Sequence, residues 1–390
     1  MGLRVDLVFP RFKLLSGAER AILGLAGALH ADGHHVRIVC HQFDASCQPC
    51  LRPGVELVCS HARLDWSTNR YLNAGSDYLR SFGLRRLLDD TADVCMLFGP
   101  SLPLVRGSKK GRPRVLYYCW EPPRALYQDR NLVLSRLGWS RHVIGPALRL
   151  YRALDHWLVR LADEVCTSSP FAASQIEAAY GRPASVVTLG VDRIRLDAAA
   201  DPPEKAGRPV VLTVNFLHPR KRVELFLEVA SVCRAQWADR SSRPRWVIVG
   251  DGPERRRLER RAYELDIVDD VEFAGFVPDE QLPQYYAAAS CYLHTAIEES
   301  FGLSVIEAAY CGTPIVAVDE GGVRETVEQG VTGWLVASTP VDLATSVTSV
   351  LTSSDSGRGM GQAGHRRISA RYRWDQGAAD IVRLAQARRT

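Results

Sequence analysis

Nowhere does the chain stay apolar for the ~18 residues that a membrane-spanning helix requires, and residues 1–10 read as a strand behind one arginine rather than as a leader. Neither membrane insertion nor secretion is expected, and a cytoplasmic protein is. A myristoylation signal at Gly2 is also lacking, because Asp6 stands where Ser or Thr is needed. The ten cysteines show no disulfide-framework spacing, which fits thiols kept reduced. Cys47 and Cys50 form a CxxC near Cys40, His41, Cys59 and His61, yet no second CxxC or HxxxH completes a zinc set, so no metal is expected there. Asp89–Asp90 and Asp269–Asp270 read as exposed loop or helix-end carboxylates rather than as ligands. No large excess of one charge exists either. The net charge of +5 is compatible with anionic lipid or a phosphorylated substrate and selects neither, while ERRRLERR at 254–261 mixes signs as a solvated helix face does, so no nucleic-acid partner is expected.

What is present is ample core material and a regular alternation. Hydrophobic residues make up 46% of the 390 and charged residues 24%, and the length exceeds one ordinary core. Short β-branched runs such as VDLVF and VRIVC alternate with helical patterns, the signature of βαβ units and a parallel sheet. At 197–209 the composition turns to Ala, Pro, Gly and charge without periodicity, which reads as a linker. Beyond it the alternation restarts at 210–215, 246–250, 271–273, 291–294 and 314–318. The expectation is an α/β protein of two doubly wound parallel-sheet domains, residues 1–196 and 210–370, joined by the linker 197–209, with a terminal helix over 371–390.

In EESFGLSVIEAAYCGTP, from 298 to 314, a strand end is followed by a Gly-containing turn and a helix. That geometry aims the backbone N–H groups of Gly302, Leu303 and Ser304, behind the turn residues Ser300 and Phe301, into the crevice at the strands' carboxyl ends, where a diphosphate can dock. Glu307, inside the helix, suits the vicinal hydroxyls of a ribose, and Glu299, in the turn, is left facing the transferred group. Arg220, Lys221 and Arg222 follow the first strand of the second domain at another such turn, where cations neutralise a leaving diphosphate. Gly17 after VDLVF and Gly252 in GDGP mark further strand-to-helix turns, where small residues let backbone approach a phosphate. Gly321 and Gly322 repeat the pattern, with a hairpin or cap glycine as the plain alternative. Residues 131–162 carry arginines among Leu, Ile, Val, Trp139, Tyr151 and Trp157, a helix fit either to lie on an anionic membrane or to pack with snorkelling arginines.

These residues, with SGAER at 16–20, TSSPF at 167–171, LGVD at 189–192, FAGFV at 273–277 and GVTGWLV at 330–336, resemble family 4 of the retaining glycosyltransferases, which have the GT-B fold, two Rossmann-like domains with an interdomain cleft. The resemblance covers nearly the whole chain. It implies that Glu299 contacts the transferred sugar, that Glu307 holds the nucleotide ribose, and that Lys221 meets the donor diphosphate. YYCWEPPR at 117–124 resembles the YCHEP segment of mannosyltransferases that elongate lipid-linked oligosaccharides, with Trp120 in place of its histidine, so Trp120 and Glu121 are expected at the acceptor or donor sugar. Phe216 replaces an arginine five positions before Lys221, and Ser16 replaces the first glycine of a pair. Persistence of Lys221, Glu299 and Glu307 points to a specialised enzyme rather than to lost turnover.

The resemblance implies a retaining hexosyltransferase that moves a hexose, foremost mannose from GDP-mannose, to a hydroxyl of a glycan, lipid-linked or small-molecule acceptor. The alternatives are a UDP-sugar donor, a nucleotide-sugar epimerase, and a nucleotide-sugar-binding subunit without turnover. Its expected partners are a nucleotide-diphosphate sugar, the acceptor and, through 131–162, the inner face of an anionic membrane. Domain closure on substrate and catalysis without a metal or other cofactor complete the expectation.

Overall fold

The computed structural model describes residues 2–13, 15–60, 81–105, 111–128, 141–197, 207–237, 239 and 241–387. The chain divides into two compact units, Met1–Gly190 with Trp374–Thr390, and Val191–Arg373.

The first unit opens with β1 (Arg4–Val8), whose Val5, Leu7 and Val8 are buried, and continues through β2 (Arg11–Phe12), α1 (Gly17–Ala31), β3 (His35–Cys40), β4 (Gln42–Phe43), β5 (Glu56–Cys59), β6 (Val94–Phe98) and β7 (Arg114–Tyr118). Then come α2 (Arg141–Leu161), β8 (Glu164–Thr167), α3 (Pro170–Tyr180) and β9 (Ser185–Val186). Seven strands form one parallel sheet in the order β5-β3-β1-β6-β7-β8-β9, while β2 and β4 pair separately. β6 and β7 are buried along their whole length, as central strands covered on both faces must be. The TSSPF segment is a strand end and a helix start: Ser169 Oγ accepts from Ala172 N at 3.0 Å and Pro170 opens α3. At α1 the Glu19 carboxylate accepts from Ser16 N at 3.2 Å, the reciprocal half of a capping box.

The second unit begins at α4 (Arg193–Asp197) and continues with β10 (Val210–Val214), α5 (Val223–Gln236), β11 (Arg245–Val249), α6 (Arg255–Glu264), β12 (Val271–Gly275) and α7 (Leu282–Ala288). It closes with β13 (Cys291–His294), α8 (Leu303–Tyr310), β14 (Ile315–Val318), α9 (Val323–Thr326), β15 (Gly333–Val336), α10 (Pro340–Thr352) and α11 (Ser354–Arg371). Its six parallel strands run β12-β11-β10-β13-β14-β15. The chain therefore winds outward from β10 in one direction and returns to start the other half at β13. That reversal puts the loops after β10 and β13 side by side at the strands' carboxyl ends, where a doubly wound sheet opens a crevice. Trp246, Phe226, Ile248, Leu293 and Val316 lie in the apolar cluster beneath.

The last helix, α12 (Trp374–Gln386), belongs to the first unit. Asp380 Oδ2 accepts from Thr188 N at 3.0 Å and from Thr188 Oγ1 at 2.9 Å, and the Trp374 ring lies over Gly24 of α1.

Two boundaries and two carboxylates depart from expectation. Residues 191–196, assigned by sequence to the first domain, lie in the second unit: Val191 N donates to Tyr372 O at 3.3 Å, and Tyr310 OH donates to Asp197 at 2.8 Å. The terminal boundary expected at 371 falls at Trp374, because α11 runs through Arg371. The linker at 197–209 lies outside the described residues over 198–206. Two carboxylates read as exposed are not: Asp270 is buried and bound to Arg208, and Asp89 accepts from Arg4 at 2.7 Å with Arg37 at 3.5 Å. Each has an arginine brought to it from a distant part of the chain. Among the described residues no helix is long and apolar enough to cross a membrane.

Candidate active site

The loop after β10 turns through a short 3-10 segment, Pro219–Lys221, and Arg222 follows with φ 45. A left-handed arginine costs about 1–2 kcal/mol, and its side chain supplies the compensation. Its guanidinium donates to Thr295 O at 2.7 Å, Ala296 O at 3.3 Å and Glu320 Oε2 at 2.9 Å. Thr295 Oγ1 donates to Lys221 O at 2.8 Å and Ile297 N donates to Arg220 O at 2.8 Å. The two crevice loops are thus fastened by backbone and side chain alike, and Arg222 is the bolt.

That fastening places Lys221 Nζ 2.5 Å from Glu299 Oε1, while His294 Nε2 lies 3.2 Å from Glu299 Oε2. Burial alone would raise the Glu299 carboxyl, but the positive charge of Lys221 and the His294 ring beside it outweigh burial and hold it well below the usual carboxylate range. Glu299 stays an anion, its side chain 24% exposed. His294, 1% exposed at the end of β13, was not singled out from the sequence, because nothing local distinguishes it from a buried strand residue.

The glycines around this turn are there for close approach. A Cβ on Gly322 would lie 2.2 Å from Ser300 O, and Gly322 N donates to Glu299 O at 2.8 Å. The sequence readings did not include this close backbone packing against the Glu299 turn; the cap-glycine alternative also fits, since Gly322 is the N-cap of α9. Gly252 is similar: its Cβ would meet Leu217 O at 2.4 Å, so the GDGP turn presses on the loop carrying Phe216 and His218. Neither fits any larger residue without moving backbone.

Gly302, with φ 86, is the N-cap of α8. The first amides of this helix, from Leu303, lack intrahelical partners by geometry and carry its positive end. Phe301 is buried with its ring 5.5 Å from Tyr372, and Ser304 Oγ accepts from Tyr292 OH at 2.8 Å. One turn further on, Glu307 is 4% exposed and has both carboxylate oxygens engaged: Arg195 donates to Oε1, and Tyr286 OH donates to Oε2 at 2.9 Å. Arg195 Nε also lies 3.3 Å from Asp279 Oδ2. Sequence reasoning missed Arg195, though it stands three residues past the LGVD segment that was singled out.

The second unit joins Arg220, Lys221 and Arg222 to the loop that carries Glu299, with Gly252 pressed on the loop before them, while Ser300, Phe301, Gly302, Leu303 and Glu307 follow Glu299 along the chain into α8. Phe216, where an arginine was expected, is 49% exposed and stacked on His218 with centroids 6.5 Å apart. The first unit holds Gly17 at the start of α1, and Trp120 and Glu121 just past β7. The Trp120 ring is packed against Tyr118 at 4.5 Å and Phe98 at 6.1 Å, so part of the surface expected to meet a sugar is already covered by protein. Among the described residues no group of three or more His, Cys, Asp or Glu is placed to hold a metal. Cys47 is buried, and burial pushes its thiol up to about 11, away from the thiolate a zinc ion binds. His61 lies outside the described residues.

Residues 195–367 match the family described as glycosyl transferases group 1, and residues 16–192 match the glycosyl transferase 4-like domain. The chain is 32% identical over 281 residues to the GDP-mannose-dependent alpha-(1-6)-phosphatidylinositol monomannoside mannosyltransferase of Mycolicibacterium smegmatis, covering 67% of this chain and 71% of that one. It is 26% identical to human alpha-1,3/1,6-mannosyltransferase ALG2, over 92% of this chain and 90% of that one. Sucrose-phosphate synthase from Thermosynechococcus elongatus shares the fold with a TM-score of 0.74 at 20% identity, over 98% of each chain. With its charge pair at the switch point of the second sheet, this chain belongs to the GT-B glycosyltransferases of family 4.

Proposed function

We propose that the protein transfers mannose from GDP-mannose to a hydroxyl of a glycan or lipid-linked acceptor, with retention at the anomeric carbon. The observation that carries the reading is the Lys221–Glu299–His294 set, joined by two fastened loops beside the positive end of α8. When the bond from the sugar to the diphosphate breaks, negative charge grows on the departing phosphate oxygen. Lys221, assisted by Arg220 and the α8 amides, stabilises that charge from fixed positions, which is worth most in a site that need not reorganise. The acceptor oxygen bonds to the anomeric carbon on the face the diphosphate leaves, and the hydroxyl proton passes to a departing phosphate oxygen. Glu299, held as an anion, accepts hydrogen bonds from the sugar, and Glu307 accepts from the ribose hydroxyls. In this scheme side-chain cations and amide dipoles take the place of a divalent ion.

Mannose is favoured as the transferred sugar by the names of both mannosyltransferase relatives, and GDP-mannose as its donor by the name of the Mycolicibacterium smegmatis enzyme. A lipid-linked acceptor agrees with α2, where Leu150, Leu154 and Trp157 are exposed beside Arg149, Arg152 and Arg160. Spacing of i, i+4 and i+7 puts the three apolar side chains on one stripe, and the arginines suit an anionic headgroup layer. Residues 131–140 of the expected membrane helix lie outside the described residues.

The test is turnover of GDP-mannose and of UDP-hexoses in the presence of EDTA with a panel of mannosylated lipid and soluble acceptors, the product linkage being read by NMR. An α-linked mannoside formed with chelator present supports the reading, whereas consumption of donor without acceptor indicates an epimerase. Nucleotide binding with no turnover across the panel indicates a binding subunit. Flotation with vesicles containing anionic lipid, lost in Trp157→Asp, tests the membrane contact.

A further inference from the structure

Glu307 meets an unusual demand. It has to remain a well-aimed hydrogen-bond acceptor although its helix buries it to 4% exposure, and an isolated carboxylate in such a place is costly. Arg195 supplies a cation and Tyr286 a hydroxyl. Arg195 donates to Oε1 through one arm of its fork, and the same guanidinium spans to Asp279, with Nε 3.3 Å from Oδ2 and another nitrogen 3.3 Å from the Asp279 carbonyl. Tyr286, from α7, donates to Oε2 at 2.9 Å. Arg195 is itself largely buried, its side chain 11% exposed, so it is no surface ion pair.

We infer that Arg195 is a positioning residue for nucleotide recognition: with Tyr286 it fixes the rotamer of Glu307 from which the carboxylate meets the vicinal hydroxyls of the donor ribose. Arg195 and Tyr286 each hold one oxygen of the carboxylate, so its orientation is fixed from both sides. That orientation is set before the nucleotide arrives. A planar, permanently charged fork does this where an ammonium does not, because it holds Glu307 and Asp279 together in one geometry. The inference rests on the reading of Glu307 as the ribose acceptor, and it adds the residue that gives that acceptor its direction.

The experiment removes the hydroxyls from the ligand and the guanidinium from the protein in one cycle. Binding of GDP and of 2′,3′-dideoxy-GDP is measured by calorimetry for the wild type, Arg195→Met and Arg195→Lys, together with kcat and donor KM. The expected wild type prefers GDP by ~10–100-fold, as sites built around a ligand hydroxyl do. In Arg195→Met the preference should fall below about threefold, with donor KM rising and kcat changing less, and Arg195→Lys should fall between. Retention of the full preference in Arg195→Met, or in Arg195→Lys should the first variant fail to fold, overturns the inference and leaves Glu307 as the ribose acceptor. A wild type that binds both nucleotides equally overturns the ribose reading and the inference with it.

Discussion

Replacing Lys221 by Met removes the cation that faces Glu299 while keeping most of the side chain's bulk. A unit charge about 4 Å from a developing phosphate charge contributes roughly 4 kcal/mol at an effective dielectric near 20. The Lys221 side chain is 26% exposed, so solvent screens part of this. About 3–4 kcal/mol remains, the range found for deleting one donor that faces transition-state charge, or ~10²–10³ in kcat. Steady-state kinetics at saturating donor, with Tm checked in parallel, reads the effect. A kcat within tenfold of wild type in a folded Lys221→Met protein would refute the electrostatic argument. A second, independent signature lies in the pH dependence. Burial raises the Glu299 carboxyl and Lys221, then His294, lower it below its ordinary value. Without Lys221 the opposition to burial weakens and the carboxyl rises, so the acid limb of residual kcat/KM should move to higher pH. The sign for stability follows from the same shift. A depressed carboxyl stabilises the fold above its ordinary value, ~4.3, and that contribution is lost as pH falls through the lower folded value. The variant's stability deficit should accordingly be full near neutrality and shrink in acid.

Glu307→Ala should raise the dissociation constant for GDP by at least about tenfold, through loss of charge-assisted hydrogen bonds, with a smaller change in kcat at saturating donor. Calorimetry checks it. Gly322→Ala places a Cβ 2.2 Å from Ser300 O and forces the Glu299 turn to shift, so about 1–3 kcal/mol of stability and most of the activity should be lost. A Gly322→Ala protein with wild-type Tm and kcat would show the turn to be looser than the structure has it. Arg208→Met strips the buried Asp270 of its main partner, leaving Arg243 at 4.0 Å, and should cost ~3 kcal/mol in denaturant unfolding without changing donor KM.

Much of this architecture is legible in the sequence because it is local. Alternating runs announce strands and helices, and GDGP, the paired glycines and EESFG announce turns by residue type. What stays hidden depends on distant neighbours. Lys221 and Glu299 are 78 residues apart and meet because β10 and β13 are adjacent strands, which no local pattern states. Asp270 looked exposed because its sequence neighbours are polar, while its partner Arg208 lies 62 residues away. Arg195 was not singled out for a related reason: its partner Glu307 lies 112 residues away, and nothing local joins the two. The glycines were recognised as special but not why, since the carbonyls they accommodate come from other loops.

The three cations of the PRKR turn illustrate why composition is a poor guide to role. By sequence they are interchangeable positive charges at a strand's end. In the structure Arg222 spends its fork on two carbonyls and Glu320, and its left-handed backbone makes that fork necessary. Arg220 lends its carbonyl to Ile297 N, so its backbone is part of the fastening. Lys221 has a backbone carbonyl held by Thr295 and a side chain whose ion pair is with Glu299. A compact ammonium on a flexible stem can pass from one anion to another with little change around it, whereas Arg222 cannot leave its carbonyls without loosening both loops. The division of labour follows from that chemistry: an arginine holds the turn, and the proposed role in diphosphate binding falls to the lysine, the cation able to change partners. Exchanging the two, Lys221→Arg with Arg222→Lys, keeps the net charge and should still abolish the site.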